Sequence, residues 1–166
     1  MVKVALVAYS PEWPRTFEAE RDRIVSALGD LALEVHHAGS TSVPGLRAKP
    51  IIDIALVVPD TTDEEAYVPP LEAIGYQLRL REPEWFEHRL LRHEAPTVNL
   101  HVFPPRCIEV DRMLAFRDHL RVHEDDRLLY ESTKAALSER EWPTVQDYAN
   151  AKDDVVADIM SRVDLR

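Results

Sequence analysis

The chain reads as an α+β domain: a mixed sheet with flanking helices and a C-terminal helical segment. Three features point there. A helical stripe opens the chain, strand-like runs with one inserted helix fill the middle, and the last third has helical periodicity. At 166 residues the chain is expected to form a single domain with a real core, mixed α/β over about 1–105 and helical over about 106–166.

Pro11 and Pro14 precede a pattern with Trp13, Phe17, Ile24, Val25 and Leu28 on one stripe, and Gly29 ends it. Strands are expected near 33–38 and 50–58, joined by Gly39-Ser40-Thr41-Ser42 and a loop containing Pro44 and Gly45. The segment from Asp60 to Gly75 begins with acids and is expected to form a helix interrupted by Pro69-Pro70. The alternating runs Tyr76–Arg81, Glu87–His93 and Thr97–Phe103 read as antiparallel strands. Helices are expected near 108–122, 124–139 and 143–163, with Pro104-Pro105 and Trp142-Pro143 at the breaks. The clusters Asp63-Glu64-Glu65 and Glu124-Asp125-Asp126 sit at expected helix starts, where acids favour the dipole.

Composition narrows the function classes. The net charge of −10 argues against non-specific nucleic-acid binding, which needs a basic footprint. A small anionic ligand stays compatible, because a local cationic pocket fits inside an acidic protein. The lone Cys107 cannot form an internal disulfide, which fits a reducing cytoplasm. Val4–Ala8 is too short for a signal or membrane segment, so no membrane partner is expected. The phosphate-loop pattern GxxxxGK[ST] is absent, as are GxGxxG, HExxH, CxxC and GxSxG.

The chemistry concentrates between His36 and Val58. Asp53 is the one charge in the apolar run Ile51–Val58. A buried carboxylate is costly unless paired, hydrogen-bonded or metal-bound. A Gly-Ser turn before an acid-bearing strand is how a nucleotidyltransferase-like site is built: glycine admits phosphate, hydroxyls and N–H groups bind it, and the acid holds a divalent ion. Alternation puts Ile51, Asp53, Ala55 and Val57 on one face. Asp53 therefore either coordinates Mg²⁺ or Mn²⁺, accepts loop hydrogen bonds, or pairs with a buried cation. A two-metal site wants a second acid two residues on, and that position is Ala55.

Asn99 and His101 share a strand face opposite Val98, Leu100 and Val102. His101 reads as a metal ligand or base, or with Asn99 as a polar pair on a half-exposed face. Helical phase places Arg117, Lys134 and Lys152 on otherwise apolar stripes, Lys152 beside Tyr148. Each alone reads as a snorkelling side chain; together they suit a shared anionic target, a phosphate or the Asp53 carboxylate. Lys49, just before the acid-bearing strand, either reaches a phosphate or is a solvated loop lysine.

Gly39-Ser40-Thr41-Ser42-Val43-Pro44-Gly45-Leu46, Ala48-Lys49-Pro50-Ile51-Ile52-Asp53-Ile54, Asn99-Leu100-His101-Val102, Phe116-Arg117-Asp118, Tyr148 with Lys152, and Pro11-Glu12-Trp13-Pro14 together resemble the GrpB family over almost the whole chain. The resemblance implies a nucleotidyltransferase-like fold. It supports Gly39, Ser40 and Asp53 as nucleotide and metal elements, and His101, Arg117 and Lys152 as residues the family uses. Similar domains occur fused to dephospho-coenzyme A kinases. Ala55 departs from the two-acid pattern of the wider superfamily. Two functions follow as expectations. One is metal-dependent nucleotidyl transfer, with Asp53 and His101 catalytic and Gly39, Ser40, Thr41, Ser42, Lys49, Arg117, Lys134 and Lys152 holding the nucleotide. The other is a non-catalytic module for a nucleotide or coenzyme-A-type ligand. A mainly structural or protein-interaction domain is the least economical reading.

Overall fold

The computed structural model describes residues 1–163. The chain opens with a short strand β1 (Val2–Lys3) and the helix α1 (Glu12–Leu28), followed by β2 (Glu34–Ala38) and β3 (Ile52–Val57). A 3₁₀ turn at Ser40–Ser42 follows β2 directly. Then come α2 (Glu64–Glu72), β4 (Gln77–Glu82), β5 (His88–Glu94) and β6 (Thr97–Phe103). The last third holds α3 (Ile108–Val122), α4 (Glu124–Ser138), β7 (Glu141–Trp142), α5 (Val145–Asn150) and α6 (Asp153–Met160).

The main sheet has the order β2-β3-β6-β5-β4. It is mixed because β3 and β6 run parallel, while every other neighbouring pair is antiparallel. β1 and β7 pair separately. Among the described residues, no helix is long and apolar enough to cross a membrane.

The alternation along the strands assigns the two faces. Ile52, Ile54 and Leu56 of β3, with Val98, Leu100 and Val102 of β6, pack on Trp13, Phe17, Ile24 and Leu28 of α1 and on Tyr67, Val68 and Leu71 of α2. Each such aliphatic side chain stabilises by roughly 1.5–3 kcal/mol when fully buried. On the opposite face Val57 and Phe103 pack against Val110 of α3, with Met113 and Leu114 beside them. Helices therefore flank both faces of the sheet.

Three local expectations are corrected. Val25 is exposed, because the buried stripe of α1 runs through Trp13, Phe17, Glu20, Ile24 and Leu28. Glu20 tolerates burial by accepting from Arg23 at 2.7 Å and from the Tyr76 hydroxyl at 2.9 Å. α2 runs through Pro69-Pro70 without interruption: the prolines lie near its end, Ala73 N–H still reaches the Pro69 carbonyl at 3.0 Å, and Tyr67, Val68 and Leu71 anchor the turn. The stretch 143–163 is two helices. α5 starts at Thr144, whose hydroxyl accepts from Asp147 N–H at 3.1 Å, and it closes with Lys152 N–H on the Ala149 carbonyl at 3.2 Å. Asp153 and Asp154 then open α6, where acids suit the helix start.

One close approach fixes the sheet edge nearest the turn. Ala38 at the end of β2 pairs with Asp53 on β3, and Gly39 then takes φ +69° and ψ −174°. That region is essentially open to glycine alone. A Cβ at Gly39 would lie 2.4 Å from Asp53 Oδ2 and 3.0 Å from its Cβ and Cγ. Gly39→Ala is expected to destabilise the fold by about 1–3 kcal/mol from backbone strain alone, with the clash adding to it. Urea unfolding checks this; an unchanged midpoint contradicts it.

Candidate functional site

A cavity of about 310 Å³ opens between the Asp53 face of the sheet and the C-terminal helices. The turn after β2 supplies Gly39, Ser40 and Thr41; β3 supplies Asp53; β6 supplies Asn99 and His101. Arg117 comes from α3, Lys134 from α4, Tyr148 from α5, Lys152 from the α5–α6 junction and Lys49 from the loop before β3. Met113, Phe116, Leu120 and Tyr130 add apolar wall. The sequence-predicted residues thus meet in one place, apart from Ser42. Its hydroxyl donates to the Gly39 carbonyl, and its own carbonyl accepts from Arg121 Nε at 3.0 Å. Thr41 lines the cavity with its hydroxyl 3.0 Å from His37 Nε2. Ser42 and Thr41 therefore brace the turn.

Arg117 and Lys134 point inward as helical phase requires, while Lys152 reaches the cavity from the break between α5 and α6. Lys134 is 2% exposed. Its ammonium donates to Ser40 Oγ at 2.9 Å and to the Arg47 carbonyl at 2.7 Å, and lies 5.0 Å from the centre of the Tyr130 ring. Lys152 and Lys49 share the Tyr148 ring at 4.8 and 5.6 Å. Arg117 donates to the His37 carbonyl at 3.1 Å and to Asp118 at 2.9 Å. Tyr148 is fully buried, and its hydroxyl has no hydrogen-bond partner among the described residues.

Crowding these charges is unfavourable. Burial, then Lys152, lowers the Lys134 ammonium to about 7. Burial, then Lys49, lowers Lys152 to about 8, while Asp53 works the other way. Burial also lowers Lys49, again opposed by Asp53. Among the described residues lining the cavity, Asp53 is the one carboxylate.

Asp53 and His101 engage each other. His101 Nε2 stands 3.1 Å from Asp53 Oδ1, and His101 Nδ1 stands 3.1 Å from His88 Nε2. Both ring nitrogens are therefore taken up by protein partners. Among the described residues, no group of three or more His, Cys, Asp or Glu side chains could hold a metal ion. Ala55, in the place of a second acid, is fully buried.

Some participants escaped the sequence reading. Arg92 donates to Asn99 Oδ1 at 2.9 Å, so Asn99 is held from β5. His88 and Glu82 stand behind His101, with His88 Nδ1 2.9 Å from Glu82 Oε1. Alternation marked their strands, but the register that joins them is a tertiary property. His36 and His37 part as alternation requires: His37 is buried, stacked 4.8 Å from Phe17, and burial lowers it to about 4, with Arg121 next in effect.

Comparison with known proteins places this geometry in a family. A UPF0157 protein of Halalkalibacterium halodurans is 54% identical over 159 residues, covering 96% of this chain and 82% of the relative. A dephospho-CoA kinase of Mycolicibacterium paratuberculosis is 41% identical over 76 residues, 44% of this chain and 19% of the kinase. The crystal structure of GrpB from Enterococcus faecalis superposes with a TM-score of 0.84 at 30% identity, covering 95% of this chain and 96% of that one. The Cid1 poly(U) polymerase superposes with a TM-score of 0.56 at 13% identity, covering 81% of this chain and 43% of that one, which shows a nucleotidyltransferase-like fold. The model for the GrpB protein family matches residues 3–162, and the chain belongs to that family.

Proposed function

We propose that this protein binds a small phosphate-bearing ligand, a nucleotide or a coenzyme-A-type molecule, with its phosphates on Lys49, Lys134, Lys152 and Arg117. The observation that carries this reading is their convergence on one cavity, against the Asp53 carboxylate, in a chain of net charge −10. Buried cations that repel one another are costly, and an anion offsets that cost. The unpartnered Tyr148 hydroxyl and the wall of Met113 and Phe116 offer further contacts, and the volume suits a small ligand. The free thiol of Cys107 and a soluble phosphate ligand both suit the cytoplasm.

Binding without turnover is the first reading, because Ala55 stands where a second carboxylate would complete a two-metal site. Nucleotidyl transfer to an acceptor is the second. The fold likeness and the position of Asp53 at the mouth of the parallel β3–β6 pair favour it. Calorimetric titration with nucleotides, coenzyme A and inorganic triphosphate, with Mg²⁺ and with a chelator, separates the two. Binding is expected to survive chelation and to weaken about ten- to a hundred-fold in Lys134→Met and Lys152→Met, the loss of one charge-assisted contact. Affinity in Asp53→Asn is expected to hold. Binding indifferent to both lysines contradicts the proposal. Divalent-dependent release of pyrophosphate that Asp53→Asn abolishes establishes transfer instead.

A pH dependence follows. The ammonium groups of Lys134 and Lys152 titrate lower in the folded chain than in the unfolded one, so the unfolded state binds more protons above about pH 7. Ligand-free stability is expected to rise between about pH 7 and 10 on this account, and saturation with triphosphate is expected to flatten the rise. Thermal unfolding across that range checks both signs.

A further inference from the structure

One register row crosses the sheet outward from the cavity. Asp53 on β3 pairs with Asn99 on β6, Asn99 with Arg92 on β5, and Arg92 with Gln77 on the edge strand β4. In-register neighbours share a face, and adjacent strands stand about 4.8 Å apart, so Arg92 leaves its strand roughly 10 Å from where Asp53 leaves its own. Arg92 is held in place there. Its Nη1 donates to Asn99 Oδ1 at 2.9 Å, and its side chain is 29% exposed. Its Nε is buried and has no hydrogen-bond partner among the described residues. The Nε edge is one of the edges on which a guanidinium grips an oxyanion through two parallel bonds.

A buried N–H without an acceptor is costly and calls for an explanation. The carboxylate beside it is Glu94, whose Oε1 stands 3.6 Å from Arg92 Nε and 3.6 Å from Arg79 Nη2 on β4. Both separations exceed a hydrogen bond. Glu94 is 66% exposed, and so loose a surface pair contributes little. Arg79 is steadied by Gln77, whose Oε1 accepts from its Nη2 at 3.0 Å. Lys49, at the cavity, is close enough to Arg92 for the two positive charges to oppose each other. Two guanidinium groups on neighbouring strands thus meet over one acid that hydrogen-bonds neither, one strand beyond a residue that lines the cavity.

We propose that Arg79 and Arg92 form an oxyanion seat on the β4–β5 side of the cavity, with Glu94 as a loosely held stand-in that an incoming phosphate or carboxylate displaces. The oxyanion accepts from Arg92 Nε and from Arg79 together. The bond to Asn99 keeps Arg92 aimed while Glu94 swings into solvent, so little order has to be created on binding. The seat lies across Asn99 from Asp53. It therefore serves the outer anionic group of a ligand whose phosphates sit on the lysines, or the anionic group of a second molecule brought beside it. The seat stands on its own geometry; the first of these two sources rests on the phosphate reading above.

The test is nitrogen-15 NMR of the arginine Nε–H groups in arginine-labelled protein, titrated with inorganic phosphate against chloride of matched ionic strength, with Arg92→Met assigning the signal. Phosphate is expected to shift the Arg92 signal saturably. Glu94→Gln, at an exposed position, removes the stand-in charge and is expected to tighten phosphate about two- to five-fold, the worth of a surface pair. Arg79→Met, half exposed on the edge strand, is expected to weaken it about ten-fold, the loss of one charge-assisted contact. An Arg92 signal that phosphate does not move overturns the proposal. So does a response that Glu94→Gln and Arg79→Met both leave unchanged. The double variant Lys134→Met with Lys152→Met separates the seat from the cavity: its Arg92 response is expected to match wild type. Loss of that response means the signal reports phosphate on the lysines and overturns the seat alone. A response that persists while triphosphate fails to bind the lysines removes the phosphate reading alone. Coenzyme A, which carries phosphates at two separated places, then assigns the source. Binding weakened by Arg92→Met makes the seat a subsite for the ligand's outer phosphate; indifference to Arg92→Met leaves it to a second molecule.

Discussion

Asp53 against Gly39 is the contact on which the site depends. The carboxylate of a central strand presses on a backbone that has no room for a side chain. That approach lets the chain leave β2 and turn at once through Ser40–Ser42. The turn holds Ser40 where Lys134 reaches it from α4, and Arg121 of α3 grips the Ser42 carbonyl. Two C-terminal helices are thus tied to a turn whose shape one glycine sets.

The second constraint is charge. A protein with ten more acidic than basic residues draws cations to one cavity and buries them against each other. Burial weakens each ammonium, and mutual repulsion weakens it further. Tyr130 and Tyr148 return some of that energy through their ring faces. Such an arrangement is poor economy for stability alone and suits a site waiting for an anion. Asp53, at the same cavity, orders the turn through its contact with Gly39.

Periodicity made much of this legible. Alternation put Asp53 on one face of its strand and Asn99 with His101 on one face of theirs, and helical phase turned Arg117 and Lys134 inward; the β3–β6 pairing then joined the two strand faces. Both rest on local geometry, which a sequence carries directly. What escaped depended on cross-strand register or on context. Glu82 and His88 joined His101 only through the pairing of β4, β5 and β6. Glu20 joined the buried stripe because Arg23 and Tyr76 satisfy its carboxylate, while Val25 lies off it. Pro69-Pro70 looked like a break, but burial of Tyr67, Val68 and Leu71 overrode the two missing donors. The turn at Ala151-Lys152 had no glycine or proline to announce it, yet it delivers Lys152 to the cavity.

The most direct test follows the ammonium groups themselves. Nitrogen-15 NMR of labelled lysines, read from pH 6 to about 11, covers both the buried and the ordinary range. Without ligand, Lys134 and Lys152 are predicted to titrate at about 7 and about 8. Saturating inorganic triphosphate is predicted to move both upward, because a nearby anion favours the charged form. Ordinary lysine titration without ligand, or titration unmoved by triphosphate, would contradict a cationic cavity built for phosphate.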